Sequence, residues 1–188
     1  VPDALKPAVV ESVSGAWMQT VRDEAASYLP GNDKTLAAKK APELADIKAL
    51  TPDPGKGQLV FMRSCSTCHM AGAKGYDFGP NLSEIGSKLP RESLYESIIH
   101  PSSAIGFGYE GWTFKMKDGS EFSGILASKT ETDIDLKFPG GGRKKFKSRA
   151  VATMSEMKKS MMTEGLYENL GTQDLANLLE YLSLLKKK

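Results

Sequence analysis

The sequence predicts a mainly α-helical protein with a small antiparallel β-meander set into it. Two changes of period carry that expectation. Apolar residues recur at helical spacing before residue 105 and again over 172–188, whereas between about 109 and 149 they alternate with polar ones. A third observation concerns chemistry: the string RSCSTCHM at 63–70 holds both cysteines of the chain and one of its two histidines.

Bulk composition narrows the class. The 188 residues are 40% apolar and 26% charged, ordinary values for a globular chain. The net charge of +2 is too small to argue for a nucleic acid or a membrane surface as partner. No apolar run approaches the roughly 18–20 residues that cross a bilayer. The chain starts at Val1 with neither Met nor a signal peptide, so a mature form or an excised fragment is expected.

Within residues 3–29, Val9, Val10, Val13, Trp17, Val21 and Tyr28 stand at helical spacings, and PGND (30–33) ends that segment. A second, Ala-rich helix is expected over about 35–49. TPDPGKG (51–57) is the expected boundary, which makes 1–50 a helical appendage, a remnant of a helical repeat array, and 51–188 the main domain. From Gly57 a helix runs through Leu59, Val60 and Phe61 into the C-x-x-C-H turn, and a glycine-rich loop follows over 71–86. Residues 90–105 contain a short helix with Leu94, Ile98 and Ile99 on one side, limited by Pro101.

The alternation then begins. Trp112, Phe114 and Met116 share one face, Asp118-Gly119 is a hairpin signal, and Ile134, Leu136 and Phe138 form a second row. PGGG (139–142) turns the chain into a last strand, RKKFKS, for three or four strands in all. The closing helix, 172–188, has Thr172 as its expected N-cap and Asp174 in its first turn. Leu175, Leu178, Leu179 and Leu182 make its buried stripe.

Two cysteines at i and i+3 project from one side of a helical turn, and the following histidine reaches whatever both sulfurs hold. C-x-x-C-H is the attachment signature of a c-type haem: Cys65 and Cys68 form the thioethers and His69 binds the iron. The plainer readings are a disulfide, half of a zinc site, or a redox dithiol. Tetrahedral zinc needs four ligands, and only one further His exists. A redox C-x-x-C belongs in a thioredoxin-like βαβ setting, which the pattern lacks.

For the second axial position the residues leave alternatives open. Of eight Met, four fall at 154, 157, 161 and 162, and a lone Met is commonly core filler. KKSMMTEGL offers Met161 and Met162 on an irregular stretch. His100 would give a bis-histidine site, although its place beside Pro101 suits a helix end.

The order of helix, C-x-x-C-H, Gly-Pro loop, short helix, methionine and amphipathic closing helix resembles the small single-haem cytochrome c fold. The resemblance implies a cytochrome c helical fold, with the meander (about 109–149) inserted between the third helix and the Met ligand loop, plus two N-terminal helices. It implies that the first and last helices cross, with Gly57 and Phe61 against Leu178, Tyr181 and Leu182. It implies too that the Pro80 carbonyl in FGPNL accepts the Nδ1 proton of His69. More closely, GPNLSEIGSKLPRESLYESIIHPSSAI, DGSEFSGIL and MMTEGL resemble the haem-binding domain at the C-terminus of large exported proteins of Planctomycetes and Verrucomicrobia, over about 55–185. That domain reads Met-Pro where this chain has Met162-Thr163, and alignment on it makes Met162 the distal ligand, ahead of Met161, Met154 and Met157.

The function so implied is electron transfer by one covalently bound haem c, in the periplasm or otherwise exported, by a module that is not itself an enzyme. Its partners would be redox proteins: an upstream dehydrogenase domain as donor and another carrier as acceptor. The lysines of 142–149 and 185–188 are either a solvated face or a docking patch for an acidic partner. The competing classes are a peroxidase-like haem enzyme and a gas sensor, each of which needs a displaceable distal ligand.

Overall fold

The computed structural model describes residues 40–187. The helix expected over 3–29 therefore lies outside the described residues. Of the second helix, expected over about 35–49, the described residues are 40–49; 40–43 are not helical, and the helix, α1 (Leu44–Lys48), begins only after the extended Glu43, with Ile47 fully buried. It packs in the same core as the elements that follow.

Helix α2 (Pro54–Ser64) begins three residues before the expected Gly57. The TPDPGKG stretch supplies its start signals: Asp53 accepts from the backbone N–H groups of Gly55 and Lys56, and Pro54 occupies the first turn, where no N–H is needed. Short α3 (Ile85–Lys88), α4 (Arg91–Ile99) and α5 (Thr172–Leu184) complete the helical part. The expected cap of α5 needs correction. Gly171 is the N-cap, and Thr172 is already helical with no side-chain cap bond. Leu175, Leu178, Leu179 and Leu182 are all buried as the stripe requires.

Helices α2 and α5 cross in close contact. A Cβ on Gly57 would stand 2.0 Å from the Asn177 carbonyl oxygen, so only glycine permits this approach. One turn on, Phe61 meets Tyr181 with ring centroids 5.7 Å apart. Asn177, itself buried, accepts the Asp53 backbone N–H at 2.8 Å and the Gln173 amide at 3.0 Å, which fixes the start of α2 on α5. Arg91 ties α4 to the same helix through Glu180 and the Ala176 carbonyl.

The β part is larger than the sequence suggested, so the described residues are less predominantly helical than expected. Strands β1 (Gly111–Met116), β2 (Glu121–Lys129), β3 (Asp133–Lys137), β4 (Arg143–Lys147) and β5 (Val151–Glu156) form one antiparallel sheet in the order β4-β3-β2-β1-β5. The meander stands, and β5 is added on the far side of β1. Its alternation is hidden by a bulge: Met154 faces Phe114 and Val151 faces Met116, which leaves Ala152 as an extra residue. The two apolar side chains that pack on the core are consequently three apart. Phe114, Met116, Ile134 and Leu136 make a second core, distinct from the helical one, with Met154 packed against it.

Gly57→Val would drive a branched side chain into the α5 backbone, and overpacking of this kind costs about 1–3 kcal/mol. A lowered midpoint in thermal unfolding is expected; an unchanged midpoint would mean the helices part without cost.

Candidate haem site

The C-x-x-C-H turn is the continuation of α2. The N–H groups of Cys65 and Ser66 donate to the Phe61 carbonyl, and those of Cys68 and His69 to the Cys65 carbonyl, so the helix tightens into a turn as it ends. The glycine-rich loop then folds back over it. Tyr76 N–H donates to the Ser66 carbonyl, Phe78 and Gly79 to that of Cys68, and Leu82 to that of Met70. Two glycines permit the wrap. Gly75 has φ +90° and lies against the His69 carbonyl, and a Cβ on Gly79 would come within 2.6 Å of the imidazole Cε1.

His69 Nδ1 lies 2.8 Å from the Pro80 carbonyl oxygen. A carbonyl can only accept, so Nδ1 carries the proton and the lone pair is left on Nε2, the nitrogen free to bind a metal. Burial lowers the pKa of His69 and the Pro80 bond partly offsets it, so the ring is held neutral, as a ligand must be.

Both cysteines are free and partly buried. Burial, with Cys68 adding, pushes the Cys65 thiol up to about 12, and burial pushes Cys68 up to about 11. Thiols this reluctant to ionise do not suit a redox dithiol, which works through the thiolate. Among the described residues, no group of three His, Cys, Asp or Glu side chains could hold a metal ion.

One cavity of about 940 Å³ gathers the residues singled out by the sequence: Cys65, Cys68, His69, Pro80, Met161 and Met162, with His100 on its wall. Its size is at the upper end of cofactor pockets, about 300–1,000 Å³. Phe78, Leu82, Ile98 and Leu182 make its lining largely apolar. Two cysteines placed for thioether bonds, one oriented imidazole and a large apolar chamber are the donor set that a covalently held haem requires, so the residues fit that group.

The methionines divide. Met162 packs against the helical core, the cluster that also touches Cys65. Met161 and Met157 lie over Gly111, where a Cβ would come within 2.8 Å of Met161 Cγ and 2.9 Å of Met157 Sδ. Met154 is in β5 and packs in the sheet core, with its sulfur accepting from Lys129. His100 is exposed at the C-terminal end of α4, where its backbone N–H donates to the Glu96 carbonyl.

Sequence reasoning missed three contributors. Ile125 of β2 and Tyr109 line the cavity, so the sheet supplies part of its wall. The PGGG turn sits on the C-x-x-C-H turn: Gly140 N–H donates to the Thr67 carbonyl at 2.8 Å, and Lys137 pairs with Asp77 at 3.2 Å. A third group, Ser102, Ser160 and Glu164, borders the methionine segment. Lys159, then Ser102, hold the Glu164 carboxyl below the usual range. No local pattern marks these residues, because the contacts that bring them to the site cross a large sequence separation.

A family model described as Cytochrome c matches residues 55–135. The match begins at the first turn of α2, takes in the C-x-x-C-H turn and the Pro80 loop, and ends within β3. It supports a c-type cytochrome, a haem-binding protein of electron transfer, with haem c the group the family implies. No curated protein matches the chain. Among the described residues, no helix is long and apolar enough to cross a membrane.

Gly79→Ala would set a methyl group against the imidazole and tilt it away from Pro80. The expected outcome is loss of the protected His69 Nδ1–H signal in ¹H–¹⁵N spectra, together with a lower unfolding midpoint. A retained signal would mean that the ring is held by something other than the Pro80 carbonyl.

Proposed function

We propose that the protein is an electron carrier that would hold one haem c through thioethers from Cys65 and Cys68, with His69 and Met162 as the residues that would ligate its iron. One observation carries this reading: a single apolar cavity is lined by both cysteines, by a histidine whose Nδ1 is committed to Pro80, and by Met162. When bound, the haem supplies an iron centre that takes up and gives back one electron.

The chain's own residues do the rest. Cys65 and Cys68 fix the group on the turn that ends α2, and the Pro80 carbonyl orients His69 and raises its donor strength. A methionine sulfur favours the reduced state and raises the potential. Met162 is preferred to Met161 because it packs against the helical core, the cluster Cys65 also packs against, whereas Met161 lies over Gly111. Two protein ligands leave no position for a substrate, which favours a carrier over a peroxidase-like enzyme or a gas sensor. The partners are redox proteins, with a dehydrogenase domain upstream as donor, in an exported, periplasmic setting. The motifs over 55–185 favour kinship with the C-terminal haem domains of Planctomycetes and Verrucomicrobia.

The test is an absorption spectrum of the oxidised and the dithionite-reduced protein, repeated under carbon monoxide. Sharp reduced bands, a weak sulfur-to-iron band in the oxidised form and indifference to carbon monoxide are expected. A prompt carbon monoxide shift would move the sensor or enzyme reading ahead. Cys65→Ala combined with Cys68→Ala should release all haem on denaturation, and retained haem would sink the thioether assignment. Met162→Ala should lower the potential and admit carbon monoxide; an unaltered spectrum would pass the role to Met161 or His100.

A further inference from the structure

Residues 157–165 join the sheet to the helical core without regular secondary structure, and a short 3-10 turn (Leu166–Asn169) follows them. A segment with no internal ladder needs other partners for its backbone. Two side-chain oxygens supply them. Ser102, in the loop that follows α4, accepts the Ser160 backbone N–H at 3.2 Å and donates its hydroxyl to Glu164 Oε1 at 2.9 Å. Ser160 Oγ in turn accepts the Met162 backbone N–H at 3.1 Å. The hydroxyl of Ser102 is thus used in both directions, and its two bonds fall on either side of Met162 in sequence. Lys159 completes the group from the solvent side, pairing with Glu164 Oε2 at 2.9 Å.

We propose that Ser102 and Glu164 are positioning residues: a polar clasp that closes the segment 160–164 on the α4 loop and holds the Met162 sulfur toward the cavity. The inference rests on Met162 being the distal ligand. It adds that the ligand's placement is set by a contact 60 residues away in the chain rather than by apolar packing alone. Ser102 and Ser160 are partly buried, so their bonds are sheltered from water. The Lys159–Glu164 pair is exposed and screened, and contributes little by itself. Because the clasp grips the backbone at Ser160 and the side chain of Glu164, on either side of Met162 in sequence, opening it frees the sulfur without removing it.

The experiment uses the haem-loaded protein and compares Ser102→Ala, Glu164→Ala, Ser102→Thr and Met162→Ala with wild type. Lys48→Met, which breaks an exposed ion pair between α1 and α4, is the control for loss of an exposed ion pair such as Lys159–Glu164. Three quantities are read: the sulfur-to-iron band, the rate of carbon monoxide binding to the reduced form, and hydrogen exchange at the Ser160 and Met162 amides. Loss of a hydrogen bond to a charged group should speed carbon monoxide binding about fivefold or more in Ser102→Ala and Glu164→Ala. The band should weaken and both amides should exchange faster. Ser102→Thr, which keeps the hydroxyl, and Lys48→Met should behave as wild type. If Met162→Ala abolishes the band while Ser102→Ala and Glu164→Ala leave band, rate and exchange unchanged, the clasp is refuted and Met162 as ligand survives. If Met162→Ala itself leaves the band intact, the ligand assignment fails and the clasp fails with it.

Discussion

Gly57 has no room for a side chain, because a Cβ there would stand 2.0 Å from the Asn177 carbonyl on α5. This close crossing fixes the height and direction of α2, and α2 runs straight into the turn that carries Cys65, Cys68 and His69. The glycine-rich loop is built on that turn through bonds to Ser66, Cys68 and Met70, and it delivers the Pro80 carbonyl to the imidazole. A loosened crossing would therefore displace every group on the histidine side of the cavity. The buried Asn177 bond to Asp53 reinforces the contact at the opposite end of α2, where the helix begins.

The sheet is more than an insertion carried at a distance. Its PGGG turn rests on Thr67 within the C-x-x-C-H string, where Gly140 and Gly141 adopt φ of +73° and +80° that only glycine takes easily. At the same end of the sheet, two strands across, Gly111 opens β1 against Met157 and Met161, and the Met157 N–H donates to the Gly111 carbonyl. One sheet thus touches the cysteine turn and launches the methionine segment. Its rigidity links the two sides of the cavity, while Ile125 covers part of the wall between them.

What was legible in the sequence was what depends on local pattern. The leucine stripe of α5, the Phe114–Met116 and Ile134–Leu136 rows and the C-x-x-C-H string all follow a short period or a fixed spacing, and all stand where the pattern puts them. What stayed hidden depends on tertiary contact. Strand β5 escaped because the bulge at Ala152 turns its alternation into a spacing of three. The cap of α5 escaped because a Thr is a good cap in isolation, whereas the chain enters the helix one residue earlier, at Gly171. The role of Gly79 escaped because nothing local says that an imidazole will lie against it.

The basic run of β4 shows how a conspicuous composition can answer a structural need. Strand β4 is an edge strand, and an exposed edge invites pairing with another chain. Arg143 and Lys147 pair with Asp135 and Asp133 on the neighbouring strand, at 2.7 and 2.8 Å, and Lys144 lies 3.7 Å over the Phe122 ring. Each of these three cations has a partner inside the sheet, and the charges of Arg143 and Lys147 are matched locally by the two carboxylates. Such exposed pairs add little to stability, so their main effect lies elsewhere. A row of charged side chains blunts the edge, and the same pairs pin the register of β4 against β3, keeping the turn at 139–142 in place over Thr67.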